Sequence, residues 1–294
     1  MDPVRSAGAS ADGRRLPLKT MAAAPSGIRG WHSIFFEPFA VLLRHRRMLF
    51  RTSLADVRAR IAASALGWIW IGLYPLLFLG AYALVYLYVF QVRFPAYGGR
   101  DYVVLIFCGL VPFLWFSESL AVGTGSVVAN GNLIKNTLFP IELVPAKSVL
   151  AAQATFAVGI VMVVGALAAT GKLSAWVTLL PLLWFFQFLL TVGVVWATSS
   201  LCVFVRDLQQ IIGVCLLLLM MVSPIAFPAE AVPENLRGWM GLNPLYYLIT
   251  CYQDVLINGR QPANLLPLGI ISFAAFFVGH AIFSRLKGVF ADYV

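Results

Sequence analysis

The sequence predicts an all-α protein that crosses a membrane six times. Of its 294 residues, 61% are hydrophobic and only 11% are charged, whereas soluble domains carry about 25% charged residues. The apolar residues are gathered in runs of about 20, the length that a membrane-spanning helix requires. Because so few charges could not cover the surface of a soluble fold, these observations argue against an ordinary soluble enzyme.

Six apolar segments are long enough to cross the bilayer once each. They comprise residues 66–90, 102–128, 146–170, 176–204, 211–227 and 265–283. Residues 239–257 are nearly as apolar, but a crossing there would place Asn243, Pro244 and Asp254 in lipid. We therefore interpret residues 228–264 as an outer segment with one or two short re-entrant or interfacial helices that pack into the bundle. An ordinary interfacial loop is the alternative.

Positive charge is concentrated before the first predicted span, where eleven of the 21 Lys and Arg residues lie. With the N-terminus inside, sixteen of the 21 fall in inner segments and five in outer ones. By the positive-inside rule, both termini are expected to be cytoplasmic. The basic residues suit the anionic surface of the inner leaflet, and nucleic-acid binding is not expected of a basic tail that adjoins membrane spans.

Residues 1–50 are predicted to form a basic, partly disordered cytoplasmic extension, and residues 51–294 the transmembrane domain. Just before the first span, Leu54, Val57 and Ile61 recur at helical spacing, which predicts an amphipathic helix over Leu54–Ala65 in the inner interface. Residues 33–43 form a second apolar piece, which Glu37-Pro38 is expected to interrupt.

A polar island at residues 130–140 separates the second and third spans on the inner side. Asn130 or Asn132 can cap a helix there, and the following Pro140 ends it because proline disfavours the α conformation before it. Leu133, Ile134 and Leu138 would then present an exposed apolar face. This pattern predicts a docking element, with a tight loop resting on its own bundle as the alternative.

An ordered set of short motifs resembles the ABC-2 type permeases, in particular those that export capsular polysaccharide, O-antigen or teichoic acid. The resemblance extends from about Leu54 to the C-terminus. The matching motifs are Leu66–Trp70, Gly109–Phe116, Asn132–Lys135, Leu138–Pro140, Arg206-Asp207, Ser223-Pro224 and Asn243-Pro244. The chain departs from the family pattern at Ala59 between Arg58 and Arg60, and at Glu118, where a neutral residue is usual.

The resemblance implies a homodimer that pairs with two copies of an ATPase subunit, which would bind the ATP and magnesium. The substrate would be a lipid-linked glycan, moved across the bacterial inner membrane through a channel between the two copies, which spans one and five usually line. The helix with Arg58 and Arg60 would lie at the cytoplasmic gate, and periplasmic or outer-membrane export proteins are candidate further partners. The island would be the coupling helix seated on the ATPase, through Asn132, Leu133, Ile134, Lys135, Leu138, Phe139 and Pro140.

Aromatic rings and one acidic residue in the first two spans are the candidate channel lining, because aromatic faces stack on sugar rings. The candidates are Trp70, Tyr74, Tyr82, Trp115, Phe116 and Glu118. The alternative for the aromatics is interfacial belts and lipid-facing packing. Glu118 is costly inside a span, so it should face the bundle or a cavity, or else be protonated and hydrogen-bonded to a neighbour.

The sequence contains no catalytic constellation, metal-binding motif or Gly-rich phosphate-binding loop. We therefore expect a non-catalytic subunit without its own cofactor. The four cysteines match no metal pattern and are expected to be small buried hydrophobic residues. Two alternatives stay open: a drug- or lipid-exporting permease of the same type, and a membrane-embedded enzyme that modifies glycans.

Overall fold

The computed structural model describes residues 31–62, 65–89, 91, 97–131, 140–228 and 231–293, and their regular structure is helical throughout. This agrees with the predicted all-α class. Single turns of π or 3-10 helix at 84–89, 175–179 and 287–289 adjoin the α-helices. The α-helices are α1 (Trp31–Arg44), α2 (Arg46–Ala62), α3 (Ile69–Ala83), α4 (Gly99–Thr124), α5 (Ser126–Ala129), α6 (Leu143–Ala169), α7 (Leu180–Cys202), α8 (Leu208–Val222), α9 (Glu234–Met240), α10 (Pro244–Leu256), α11 (Leu265–Leu286) and α12 (Phe290–Tyr293).

Five helical segments within the described residues are long and apolar enough to cross a membrane. They are Ile69–Tyr86, Asp101–Thr124, Leu143–Ala169, Ala175–Cys202 and Leu265–Val289. The remaining predicted span, 211–227, is the 15-residue helix α8, about 22 Å long. It ends at Ser223, whose backbone is extended before Pro224, as proline requires of the residue that it follows. The predicted count of six full spans is therefore not confirmed.

Helix α4 forms the centre of the bundle, with α3, α6, α7, α8 and α10 packed around it. Its side chains are buried along most of its length, including Leu105, Leu110 and Phe113. Beside it, α7 and α11 touch at backbone level, since a Cβ added to Gly279 would overlap the carbonyl of Gly193. Small residues permit this close approach, which is a common device in membrane bundles.

Helix α10 packs into the bundle as a short buried helix. Asn243 caps it by accepting a 2.9 Å hydrogen bond from the Leu245 amide, and Pro244 occupies its first turn. The Gln253 side chain donates a 2.8 Å bond to the carbonyl of Pro224. A turn at Gly241-Leu242 separates α9 from α10, so residues 239–257 do not form a single span, as the sequence predicted.

The two N-terminal helices differ from the expectation in their extent. Helix α1 runs through Pro38 without a break, and its Phe39 packs on Phe276 of α11 with ring centroids 4.8 Å apart. Helix α2 begins at Arg46, eight residues before the predicted Leu54. Its buried residues are Leu49 and Ser53, because polar contacts to α6, described below, turn that face inward. Residues 1–30 lie outside the described part of the chain.

Candidate functional site

A cleft of about 500 Å³ opens beside α4, between the end of α2, the start of α3 and the middle of α6. The turn between α2 and α3 depends on Gly67, whose φ of +52° is a conformation that side-chain-bearing residues rarely adopt. This turn places Arg60 at one wall and Trp70 and Tyr74 at another. Polar and aromatic groups from four separate segments therefore meet in one space.

An ion pair between Arg60 and Glu118 lies in this cleft. Arg60 Nη1 is 2.7 Å from Glu118 Oε1, and the hydroxyl of Thr155 donates a 3.1 Å hydrogen bond to Oε2 of the same carboxylate. The Glu118 side chain is 26% exposed and that of Arg60 is 43% exposed. A charge at this depth needs a partner, and Glu118 has two. It faces a cavity, which is one of the two positions expected from the sequence.

The candidate aromatic residues lie in three different places. Trp70 and Tyr74 are exposed, lie one helical turn apart on α3 and line the cleft. Tyr82 is half-buried two turns further on, where its ring stacks on Tyr86 at 5.8 Å. Trp115 and Phe116 lie in the protein core and not in the cleft.

Trp115 and Phe116 lie on α4, close in sequence to Glu118 but outside the cleft. The cleft-lining side of α4 carries Ser117, Glu118, Ala121 and Val122, which recur at helical spacing. Phe116 lies on the opposite side of α4. Trp115 lies one helical turn before Glu118, but it packs against α6, where its ring nitrogen donates a 3.1 Å bond to the Val149 carbonyl. Helical periodicity around Glu118 could therefore have excluded Phe116 from the cleft, whereas the position of Trp115 depends on its contact with α6.

Lys147, which the sequence marked only as an inner charge, connects three segments. Its Nζ lies 3.2 Å from Asp56 Oδ2 of α2 and 3.4 Å from the side-chain oxygen of Asn130, where the island begins. Its backbone carbonyl accepts a 3.2 Å bond from Ser53. Helix α2 thus runs along α6 from Lys147 towards Thr155, which is the partner of Glu118. Lys147 and Thr155 are about 12 Å apart along the axis of α6.

The other end of the island is also anchored. Glu142, two residues after it, is buried, and its Oε1 lies 2.5 Å from Nζ of Lys287 at the end of α11. The indole of Trp196 donates a 2.9 Å bond to the Glu142 carbonyl. Among the predicted coupling residues, Pro140 is half-buried. Asn132, Leu133, Ile134, Lys135, Leu138 and Phe139 lie outside the described residues, and Arg58 is exposed on α2.

Cysteine and metal chemistry have little support in the described part of the chain. Cys108, Cys202 and Cys251 are buried and Cys215 is exposed on α8, all as free thiols. Within the same residues, no three His, Cys, Asp or Glu side chains are grouped so that they could hold a metal ion. The prediction of buried hydrophobic cysteines is confirmed for three of the four.

Five long apolar helices, one of them buried at the centre, with a polar cleft beside it, define a multi-pass helical membrane protein. Residues 48–257, from α2 to the end of α10, match the family model described as ABC-2 type transporter. This chain therefore belongs to the ABC-2 type transporter family, which confirms the resemblance seen in the sequence motifs.

Relatives with curated names align over most of this chain. An O-antigen export system permease protein RfbA of Klebsiella pneumoniae is 31% identical over 242 residues, covering 81% of this chain and 91% of the relative. Its namesake in Myxococcus xanthus is 27% identical, with 85% and 96% covered. The polysialic acid transport protein KpsM of Escherichia coli is 24% identical, with 78% and 90% covered.

Proposed function

We propose that this chain is the permease subunit of an ATP-driven exporter that moves a polysaccharide across the bacterial inner membrane. The observation that carries the proposal is the similarity to O-antigen export permeases over about four fifths of the chain, 31% identical in one case. The cleft supports it, because Trp70 and Tyr74 offer ring faces and Arg60 and Glu118 offer hydrogen bonds. Such a combination suits a sugar better than an apolar drug.

We further propose that two copies form the transport path between them. Only 6% of the residues in the span that contains α3 are buried in the single chain, and α8 buries only Leu216. The exposed side chains of α8 include Leu217 and Met221, at 64% and 66%. Exposed apolar helices can face lipid or a second protein, and the family resemblance favours a second copy on these two helices. The lipid-linked form of the substrate and the cytoplasmic position of both termini belong to the same proposal.

The energy would come from a separate ATPase subunit seated on the island at residues 130–140. The contacts that flank the island support this role, because Asn130 is linked to Lys147 and α2 while Glu142 is linked to Lys287 and α11. A displacement of the island would therefore be transmitted to both α2 and α11. Residues 132–139 themselves stay a prediction from the sequence.

Co-purification tests the docking role of the island. The double variant Leu133→Asp/Leu138→Asp should lose the ATPase subunit when the two proteins are co-expressed and purified. Leu173→Asp is the matched control, because Leu173 is an exposed leucine in the loop after α6, at the opposite end of that helix from the island. Wild-type recovery of the ATPase with the double variant would refute the docking role.

Export itself is tested in cells. Deleting the gene should leave the glycan inside the cytoplasm, and the wild-type gene should restore it to the surface. Surface glycan at the normal level in the deletion strain would refute the export function.

A further inference from the structure

The polar groups of the cleft combine opposite charges that cancel. Apart from the hydroxyl of Tyr74, the ionisable side chains among the described residues that line it are Arg60 and Glu118. Their charged atoms lie 2.7 Å apart, so a ligand in the cleft meets a dipole and not a net charge.

The ion pair keeps hydrogen-bonding capacity towards the cleft. A carboxylate accepts about four hydrogen bonds, and Arg60 and Thr155 supply two of them. A guanidinium group has five N–H donors, one of which is used in this pair. Sugar hydroxyls both donate and accept, so they can bind both partners while the pair stays intact.

An acidic sugar meets a different environment. Its carboxylate would approach Glu118, and like charges that are brought together away from water repel strongly. It could bind the remaining N–H donors of Arg60 only beside Glu118, whose carboxylate lies 2.7 Å from the same guanidinium and already neutralises its charge. The pair therefore disfavours an anionic ligand and tolerates a neutral one.

We propose that Glu118 is a specificity-determining residue that makes this cleft selective for an uncharged sugar segment of the exported glycan. The aromatic side chains contribute without regard to charge, because Trp70 and Tyr74 present apolar ring faces beside the pair. The inference rests on the proposed export of a polysaccharide and names the class of sugar that the cleft contacts.

Protection of a thiol in the cleft tests this selectivity. Val122 is an exposed lining residue, so Val122→Cys, with the exposed Cys215 changed to Ser, gives a reporter for labelling by a maleimide. The permease is held with its ATPase in lipid nanodiscs, and the probes are maltohexaose and a galacturonic acid hexamer. We expect maltohexaose to slow labelling and the acidic hexamer to require at least about tenfold higher concentration for the same effect.

Two variants should move the selectivity in opposite directions. Glu118→Gln leaves the Arg60 charge without its counterion and should make the acidic hexamer the better protector. Arg60→Met leaves Glu118 alone and should exclude the acidic hexamer more strongly, while maltohexaose still protects. Asp101→Asn is the matched control. Asp101 lies on α4 away from the cleft and forms a comparable 2.6 Å pair with Lys172, so its loss should change the protection by neither probe.

Equal protection of the wild-type protein by the two probes would overturn the inference, as would the same probe preference in the wild type and both variants. If neither probe protects although the complex still exports its glycan, the cleft does not contact sugar. That result would overturn the inference and leave the export function standing. Failure of the gene deletion to trap glycan would count instead against the export function.

Discussion

Removing Lys287 should destabilise the protein more than removing its partner, Glu142. The two charged atoms lie 2.5 Å apart, and the side chain of Glu142 is 10% exposed while that of Lys287 is 37% exposed. Lys287→Met leaves an almost wholly buried carboxylate without its counterion. Glu142→Gln leaves an ammonium group that water reaches. The two single variants therefore break the same bond but leave different groups behind.

The expected magnitudes follow from this difference in exposure. Losing one partner of a fully buried pair costs about 3–5 kcal/mol, and an exposed pair contributes about 0–1 kcal/mol. Because solvent screens the Lys287 side of the pair, we expect about 2–3 kcal/mol for Lys287→Met. For Glu142→Gln we expect about 1 kcal/mol. The double variant should lose about 1–2 kcal/mol less unfolding free energy than the two single losses added together.

Unfolding of the purified full chain in mixed micelles, titrated with a denaturing detergent, measures these free energies. The pair of Asp101 and Lys172 is the control, because its side chains are 29% and 49% exposed and its two single variants should differ little. Equal losses for Lys287→Met and Glu142→Gln, or a double variant equal to their sum, would refute the argument from asymmetric burial.

Three further outcomes follow from the packing and from the contacts of α2. Gly279→Leu should prevent α7 and α11 from meeting and should abolish the folded, monodisperse protein in size-exclusion chromatography, since the added side chain would overlap a backbone carbonyl. Trp115→Ala should cost about 3–5 kcal/mol of stability, whereas Trp70→Ala, at an exposed site, should leave the unfolding midpoint nearly unchanged and lower export. Lys147→Asp should lower export at unchanged expression. If the 3.2 Å pair of Lys147 and Asp56 positions α2, adding Asp56→Lys should restore part of the export. No restoration would argue against that role.

The sequence alone predicts the structure correctly wherever a long apolar run forms a helix. Five of the predicted spans correspond to long apolar helices, because about 20 apolar residues in lipid have few alternatives to a helix. The short segments depend on tertiary contacts instead. Helix α10, for example, buries most of its residues in the bundle. Its start is the exception, because the cap at Asn243 and the following Pro244 are visible in the local sequence.

The candidate site was only partly predictable, because its side chains come from distant parts of the chain. Glu118 was identifiable as a charge within a span, but its partners Arg60 and Thr155 are 58 and 37 residues away in sequence. The contacts of α2 could not be predicted for a related reason. Its apolar stripe predicted an amphipathic helix in the inner interface, but Asp56 pairs with Lys147 of α6, which is distant in the sequence.

The backbone contact between α7 and α11 limits how the protein can change shape. With Gly279 against the Gly193 carbonyl and Gly193 against the Ala275 carbonyl, rotation of either helix would bring a larger neighbouring side chain into the contact. We therefore expect these two helices to move together. Any opening of the bundle is then expected from elements held by side-chain contacts, above all α2 with its two ion pairs. Gly193 and Gly279 thus determine which helices stay together and which can separate.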